Sequence, residues 1–273
     1  MTPPRRPEAT AVLADGCLAD RVALVTGGGS GIGRATAELL ARLGAVVAIA
    51  GRQEDRLNAT VEAIAGSGGH ATAHPCDIRE PEAVDAMIDA VLGAHGRIDL
   101  LVNNAGGQFV APAEQISYNG FRAVTRLNLD ATWYVTTQVA ARSMIPAGYG
   151  KVVSVTMTPT RGMPGMAHSS AARAGVESLT RTWAAEWARF GVRTVAVAPG
   201  IVHTEGWEKY GLTPEHVSKV IPVGRVQAAD EVAAVIAFCL SPAGDYITGT
   251  TIVADGGINV SAPGSLVAEP PHR

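Results

Sequence analysis

The segment Gly27-Gly28-Gly29-Ser30-Gly31-Ile32-Gly33 stands between a short apolar run and a stretch with helical spacing. Glycine reaches dihedral angles closed to other residues, so backbone N–H groups in such a turn come close to a ligand. A helix opening at its end adds unpaired donors and a partial positive charge. The chemistry indicated is the holding of a pyrophosphate by Gly27, Ser30, Gly31, Ile32 and Gly33. A glycine triplet by itself also makes an ordinary turn; the strand–turn–helix setting selects the nucleotide. At the end of the next apolar run, where a carboxylate would take a ribose 2′-hydroxyl, the chain has Gly51 and Arg52. No acid stands there to repel a 2′-phosphate, and a guanidinium binds one through paired hydrogen bonds. Arg52 therefore points to NADP(H) as cofactor. Its alternative role is a solvated arginine opening a helix, with Glu54 and Asp55 as surface partners.

Periodicity supplies the elements that must hold this loop. Apolar, β-branched runs at 22–26, 46–50, 71–76, 99–103, 151–155, 192–198 and 250–254 read as strands. Amphipathic stretches lie between them at 33–43, 54–65, 81–95, 113–145, 167–190 and 231–240. The strand runs are apolar on both faces, the pattern of strands buried between two helical layers. The predicted fold is α/β: a single-domain Rossmann fold with a doubly wound, mostly parallel sheet of about seven strands flanked by helices. A chain of 273 residues can form one such domain without disulfide or metal support. The domain is expected over 20–260, with loose ends at 1–19 and 261–273 and a substrate lid at about 201–227.

Composition removes several function classes. A net charge of −3 gives no electrostatic case for nucleic acid or an anionic membrane. No run reaches the ~18 apolar residues of a membrane span. Arg5 and Arg6 precede no apolar core, so the start makes a poor signal peptide and a cytoplasmic protein is expected. Cys17, Cys76 and Cys239 are scattered and odd in number, which argues against a disulfide framework or zinc site. No metal is expected.

These residues resemble the short-chain dehydrogenase/reductase family over about 20–258. Asp77 and Ile78 resemble its adenine-contacting pair. Asn103, Asn104, Ala105 and Gly106 resemble its sheet-stabilising and cofactor-lining motif. Pro199 and Gly200, with Thr204 beyond them, resemble its nicotinamide loop, and 247–257 its C-terminal strand. The resemblance implies a Tyr-x-x-x-Lys pair on the long helix, but here the chain departs from it. The segment Ala167-His168-Ser169-Ser170-Ala171-Ala172-Arg173-Ala174-Gly175-Val176 puts Ser169 in the Tyr place and Arg173 in the Lys place. Thr156 stands in the place of the family's catalytic Ser, and Asn128 matches its active-site Asn. Arg173 is also implied to hold the cofactor ribose. The same segment resembles the trans-2-enoyl-CoA and 2,4-dienoyl-CoA reductase branch, which likewise has Ser in the Tyr place. Some dienoyl-CoA reductases carry a different Tyr where this chain has Thr158, which tilts the likeness towards enoyl reduction.

Chemistry distinguishes the readings. A serine hydroxyl is too weak an acid to replace a phenol as proton shuttle near neutral pH. Reduction of a C=C bond conjugated to a carbonyl instead develops charge on the carbonyl oxygen, and needs hydrogen-bond donors there more than an acid. Ser169, Thr156 and Asn128 are the candidate donors. A second reading is a carbonyl reductase or alcohol dehydrogenase on a terpenoid or secondary metabolite, with His168 or Tyr210 as displaced proton donor. A third is an NADP-binding protein without redox turnover. The partner expected is a small-molecule substrate. The two long helices resemble those with which the family builds homodimers or homotetramers. Trp183 and Trp187 read as packing residues at such a face.

Overall fold

A computed structural model of the chain describes residues 13–158, 162–203, 213 and 217–260. Its strands are β1 Val22–Thr26, β2 Val46–Gly51, β3 His70–Pro75, β4 Leu100–Asn103, β5 Gly150–Val155, β6 Val192–Pro199 and β7 Thr250–Ala254. They form one sheet in the order β3-β2-β1-β4-β5-β6-β7, every pairing parallel. β1, β4 and β5 are buried along their whole length, and β6 at all but one residue. The edge strands β3 and β7 are the partly exposed ones.

The principal helices are α1 Gly31–Arg42, α2 Glu54–Gly66, α3 Pro81–His95, α4 at 118–147, α5 Ala167–Trp187 and α6 Ala229–Leu240. Leu40 of α1, Ile64 of α2 and Ile236 of α6 share one core with Val25, Ile49 and Val197. Ile88 of α3 and Val135 of α4 share the other with Leu24, Leu101 and Val152. Leu24 and Val25 are consecutive in β1 and enter opposite cores, as the alternation of a strand demands. Each such fully buried aliphatic side chain contributes about 1.5–3 kcal/mol. Among the described residues no helix is long and apolar enough to cross a membrane. Cys76 and Cys239 are buried, and burial pushes both thiols up to about 11.

Three details differ from the sequence expectation. The stretch 113–145 is not one helix. A 3₁₀ turn at Ala113–Gln115 comes first, and α4 opens at Tyr118, where the Ser117 side chain accepts from the Gly120 N–H. α4 then widens into π-helical turns at Arg126–Asp130 and Ala140–Met144. Apolar spacing does not register a one-residue widening inside a helix. Residues 13–19, assigned to a loose extension, are tied down: Leu18 is 1% exposed and its N–H donates to Leu43 O at 3.0 Å. Trp183 lies inside the chain, 3% exposed and stacked on Trp187 at 5.5 Å.

The turn between β1 and α1 closes so tightly that a Cβ on Gly33 would lie 2.2 Å from Gly27 O and 2.4 Å from Asn104 Nδ2. Gly33→Ala is expected to cost about 1–3 kcal/mol through this backbone clash, read as a lower urea-unfolding midpoint. An unchanged midpoint would show that the approach is not as close as drawn.

Candidate active site

The sheet changes winding direction between β1 and β4, and a crevice opens there at the carboxyl ends of the strands. It encloses about 610 Å³. Gly27, Ser30, Gly31, Ile32, Arg52, Asp77, Ile78, Asn104, Ala105 and Gly106 line it. The Ser30 side chain does not cap α1, and no acid stands in the first turn of that helix. Its backbone donors are therefore left to a ligand, and the charge there suits an anion. Thr26 Oγ1 accepts from the N–H groups of Asn104 and Ala105, both at 3.1 Å, while Asn104 Nδ2 donates to Thr26 O at 3.0 Å. These bonds fix the glycine turn against the loop after β4. The uncapped helix, the glycine cradle and the size of the cleft fit a dinucleotide.

Arg52 has a second arginine beside it. Arg56, in the first turn of α2, also lines the cleft, and its Cβ would sit 3.1 Å from a Cβ on Gly29. Sequence reasoning overlooked it. Asp77 is held by Arg79 through three side-chain hydrogen bonds and one from the Arg79 N–H. The hydrogen bonds from Arg79 keep its carboxyl well below the usual range, at about 2. Gly200 closes onto the end of β7, its N–H donating to Ala254 O at 3.1 Å. Neither Pro199 nor Gly200 lines the cleft. Thr204 and Tyr210 lie outside the described residues.

Ser169 and Arg173 sit one turn apart on α5, so their side chains share a face. Ser169 is fully buried and Arg173 is 8% exposed. Arg173 Nη1 donates to Val155 O at 2.7 Å, and its Nη2 lies 2.2 Å from where a Cβ on Gly106 would be. Among the described residues the structure gives Arg173 no ion pair. Burial lowers the guanidinium to about 10, which leaves it charged at neutral pH.

A strap at 107–111 runs over this pair. Asn128 holds its start: Oδ1 accepts from Gly107 N–H and Nδ2 donates to Gly107 O, both at 3.0 Å. Ser169 Oγ pairs with Gln108 Oε1 at 2.8 Å, and the Phe109 ring stands edge-on to His168 at 4.4 Å. Ala111 N–H donates to Gly165 O at 3.0 Å. Ser169 Oγ also lies 3.7 Å from Met157 Sδ.

Two sequence-predicted donors also make bonds within the protein. Asn128 holds Gly107 through Oδ1 and one of its two Nδ2 hydrogens, so it positions the strap and keeps a second N–H. The Thr156 hydroxyl is shared between Val197 O and Glu177 Oε1, each at 3.3 Å, and makes no bond to Ser169. Thr158 is likewise engaged, with Asp255 Oδ2 at 2.7 Å. Gln108 and Met157 are the contacts sequence reasoning missed. His168 is fully buried; its Nδ1 accepts from Ser169 N–H at 2.7 Å, which puts the proton on Nε2. Among the described residues that Nε2 is buried without a hydrogen-bond partner, and burial lowers the pKa of the ring.

A profile described as Enoyl-(Acyl carrier protein) reductase matches residues 27–259. The chain belongs to the short-chain dehydrogenase/reductase family. It is 39% identical over 244 residues to the Bacillus subtilis protein named "Probable 2,4-dienoyl-CoA reductase [(2E)-enoyl-CoA-producing]", covering 87% of this chain and 96% of that one. The solved structure of a Pseudomonas aeruginosa citronellol catabolism dehydrogenase is 42% identical with a TM-score of 0.83, over 91% of this chain and 98% of that one. An actinorhodin polyketide ketoreductase solved with NADPH is 30% identical, with a TM-score of 0.84 over 88% and 98% of the two chains.

Asn128→Ala is expected to cost about 1–3 kcal/mol through the two lost hydrogen bonds, and to speed amide exchange at Gly107 at least about tenfold. Unchanged exchange at Gly107 would show that the clamp does not hold the strap.

Proposed function

We propose that this protein uses NADPH to reduce a C=C bond conjugated to a carbonyl, most simply in an enoyl thioester. The observation that carries the reading is the pairing of Ser169, not a phenol, with the buried Arg173. Bound in the cleft, the reduced nicotinamide supplies a hydride to the electron-poor alkene carbon. The chain's own residues hold what develops at the other end. Ser169 donates its hydroxyl hydrogen to the substrate carbonyl oxygen, while the Gln108 amide turns to donate to Ser169 Oγ; the two faces of an amide are interchangeable by rotation. Arg173, one turn below, supplies positive charge where the oxygen becomes an enolate and holds ribose hydroxyls. The one proton that completes the reduction comes to the α-carbon from water. Arg52 and Arg56 support recognition of a 2′-phosphate, and the solved relative with NADPH is in keeping with that preference. The relative named for 2,4-dienoyl-CoA reduction supports the alkene as the reducible group.

The terpenoid carbonyl reading has one observation in its favour, the name of the citronellol catabolism dehydrogenase. Against His168 as its donor stands the burial of the ring beside Phe109, with no hydrogen-bond partner for Nε2 among the described residues. The family's mode of assembly leads us to propose a homodimer or homotetramer as well, built on α4 and α5, where Phe121 and Trp133 stay 37% and 47% exposed.

Three measurements test the reading. Oxidation of NADPH by crotonyl-CoA or a longer enoyl-CoA is expected, with Ser169→Ala lowering kcat by about 10²–10³-fold; turnover of ketones alone would reject it. Arg52→Glu is expected to raise KM for NADPH about 10–100-fold and leave that for NADH little changed; equal effects on both would reject the 2′-phosphate role. The pH profile has a definite sign. Ser169 and Gln108 do not titrate, and His168 is already neutral, so kcat/KM is expected to stay flat between about pH 7 and 9. It falls only as pH rises through the Arg173 value of about 10, where the guanidinium gives up its proton. A titration in the flat range would point to a displaced acid.

A further inference from the structure

Two opposite charges leave the sheet side by side at one end of the cleft. Gly51 of β2 pairs with Pro75 of β3, and Cys76 N–H donates to Gly51 O at 2.8 Å. Arg52 follows Gly51, Asp77 follows Cys76, and both line the cleft. An acid at the end of β2 is what an NAD site uses to take the ribose 2′-hydroxyl, and it turns away a 2′-phosphate. Asp77 brings a carboxylate to the same corner from the next strand. Left loose, it would pair with Arg52 and repel a phosphate. Arg79 prevents this. Its Nε donates to Asp77 Oδ1 at 2.9 Å and to Oδ2 at 3.2 Å, its Nη2 donates to Oδ2, and its backbone N–H donates to Oδ1 at 3.1 Å. A guanidinium fork thus covers both oxygens of the carboxylate. The adjacent acid Glu80 also attracts Arg79, but Arg126 Nη2 donates to both Glu80 oxygens, at 3.0 and 3.1 Å, and to Arg79 O at 2.9 Å. The acids of this corner are shared out, Glu80 to Arg126 and Asp77 to Arg79. Among the described residues Arg52 has no hydrogen bond or ion pair; it keeps only a charge attraction towards Asp77.

Resting on the 2′-phosphate role given to Arg52 above, we propose that Arg79 is a positioning residue that sets cofactor specificity. By holding both oxygens of Asp77 it keeps that carboxylate off Arg52, and so leaves the Arg52 guanidinium to the 2′-phosphate. Arg79 itself need not touch the phosphate. The preference for one coenzyme then depends on how the carboxylates of this corner are paired, as well as on which cation stands after β2.

The test is the binding of NADP⁺ and NAD⁺ to the full chain, measured by calorimetry without substrate. The two differ only in the 2′-phosphate, so the ratio of their affinities reads that group; damage to the fold or to an adenine contact lowers both alike. The wild type is expected to prefer NADP⁺ about 10–100-fold. Arg79→Gln is expected to cut the ratio about tenfold, as the freed Asp77 turns to Arg52. Arg79→Lys, which keeps the charge, is expected to hold the ratio within about threefold of the wild type. Adding Asp77→Asn to Arg79→Gln removes the freed carboxylate and is expected to restore the ratio, a rescue that neither a structural role nor a direct phosphate contact of Arg79 would allow. A ratio unchanged in Arg79→Gln, or lowered there and not restored by Asp77→Asn, would overturn the proposal while leaving the role of Arg52 intact. A wild type with no preference for NADP⁺ would overturn the Arg52 reading and this proposal with it.

Discussion

A guanidinium enclosed by protein, with no ion pair among the described residues, is the constraint around which the site is arranged. Such a charge costs several kcal/mol unless dipoles or a bound group answer it. Val155 O supplies one dipole at 2.7 Å. The backbone leaves room for the rest only because residue 106 lacks a Cβ, whose position falls 2.2 Å from Arg173 Nη2. A lysine in that place could adjust a neighbouring phenol by its charge. With a serine in the Tyr place nothing remains to adjust, and an arginine serves as a fixed electrostatic support. On the proposed reading, the site gains a positive field at the point where a substrate oxygen takes up charge.

The scaffold exists to keep that field and Ser169 in register with the cleft. A parallel sheet sets the carboxyl ends of β1, β4 and β5 in one row, so the glycine turn, residues 104–106 and the start of α5 come together. The π-helical turn in α4 carries Asn128, whose amide grips Gly107. From there a line of hydrogen bonds runs into the sheet. Thr132 Oγ1 donates to Asn128 O at 3.1 Å and Thr136 Oγ1 to Thr132 O at 2.7 Å. Asn103 Nδ2 then donates to Thr136 Oγ1 at 2.8 Å and to Ser154 Oγ at 3.2 Å. Threonines bonding back along a helix satisfy carbonyls that a widened turn leaves loose. The strap is thus fastened to the middle of the sheet, and the contact between Gln108 and Ser169 inherits that rigidity.

Most of the fold could be read from the chain because it rests on local patterns. Two-sided apolar runs at 22–26 and 151–155 have one stable use, a strand between helical layers. The glycine turn has its own chemistry, independent of distant residues. The site was less legible. Ser169 and Arg173 were found because the family resemblance places its Tyr-x-x-x-Lys pair on this one local segment. Gln108 was missed because its partner is 61 residues away and it sits in an irregular strap with no period to mark its direction. The bonds of Thr156 were not legible for a related reason: spacing places its Cα, but the hydroxyl rotates to whichever acceptor is nearest, here Val197 O and Glu177. Asn128 was placed correctly in the chain, yet its bonds depend on a π-helical turn that apolar spacing does not reveal.

The most direct measurement is a crystal structure with NADP⁺ and an unreactive saturated or conjugated acyl thioester. The expected result is a substrate carbonyl oxygen about 2.6–3.2 Å from Ser169 Oγ, with the Gln108 amide behind it and Arg173 below. An oxygen bonded to a tyrosine hydroxyl or to His168, with Ser169 out of reach, would contradict it.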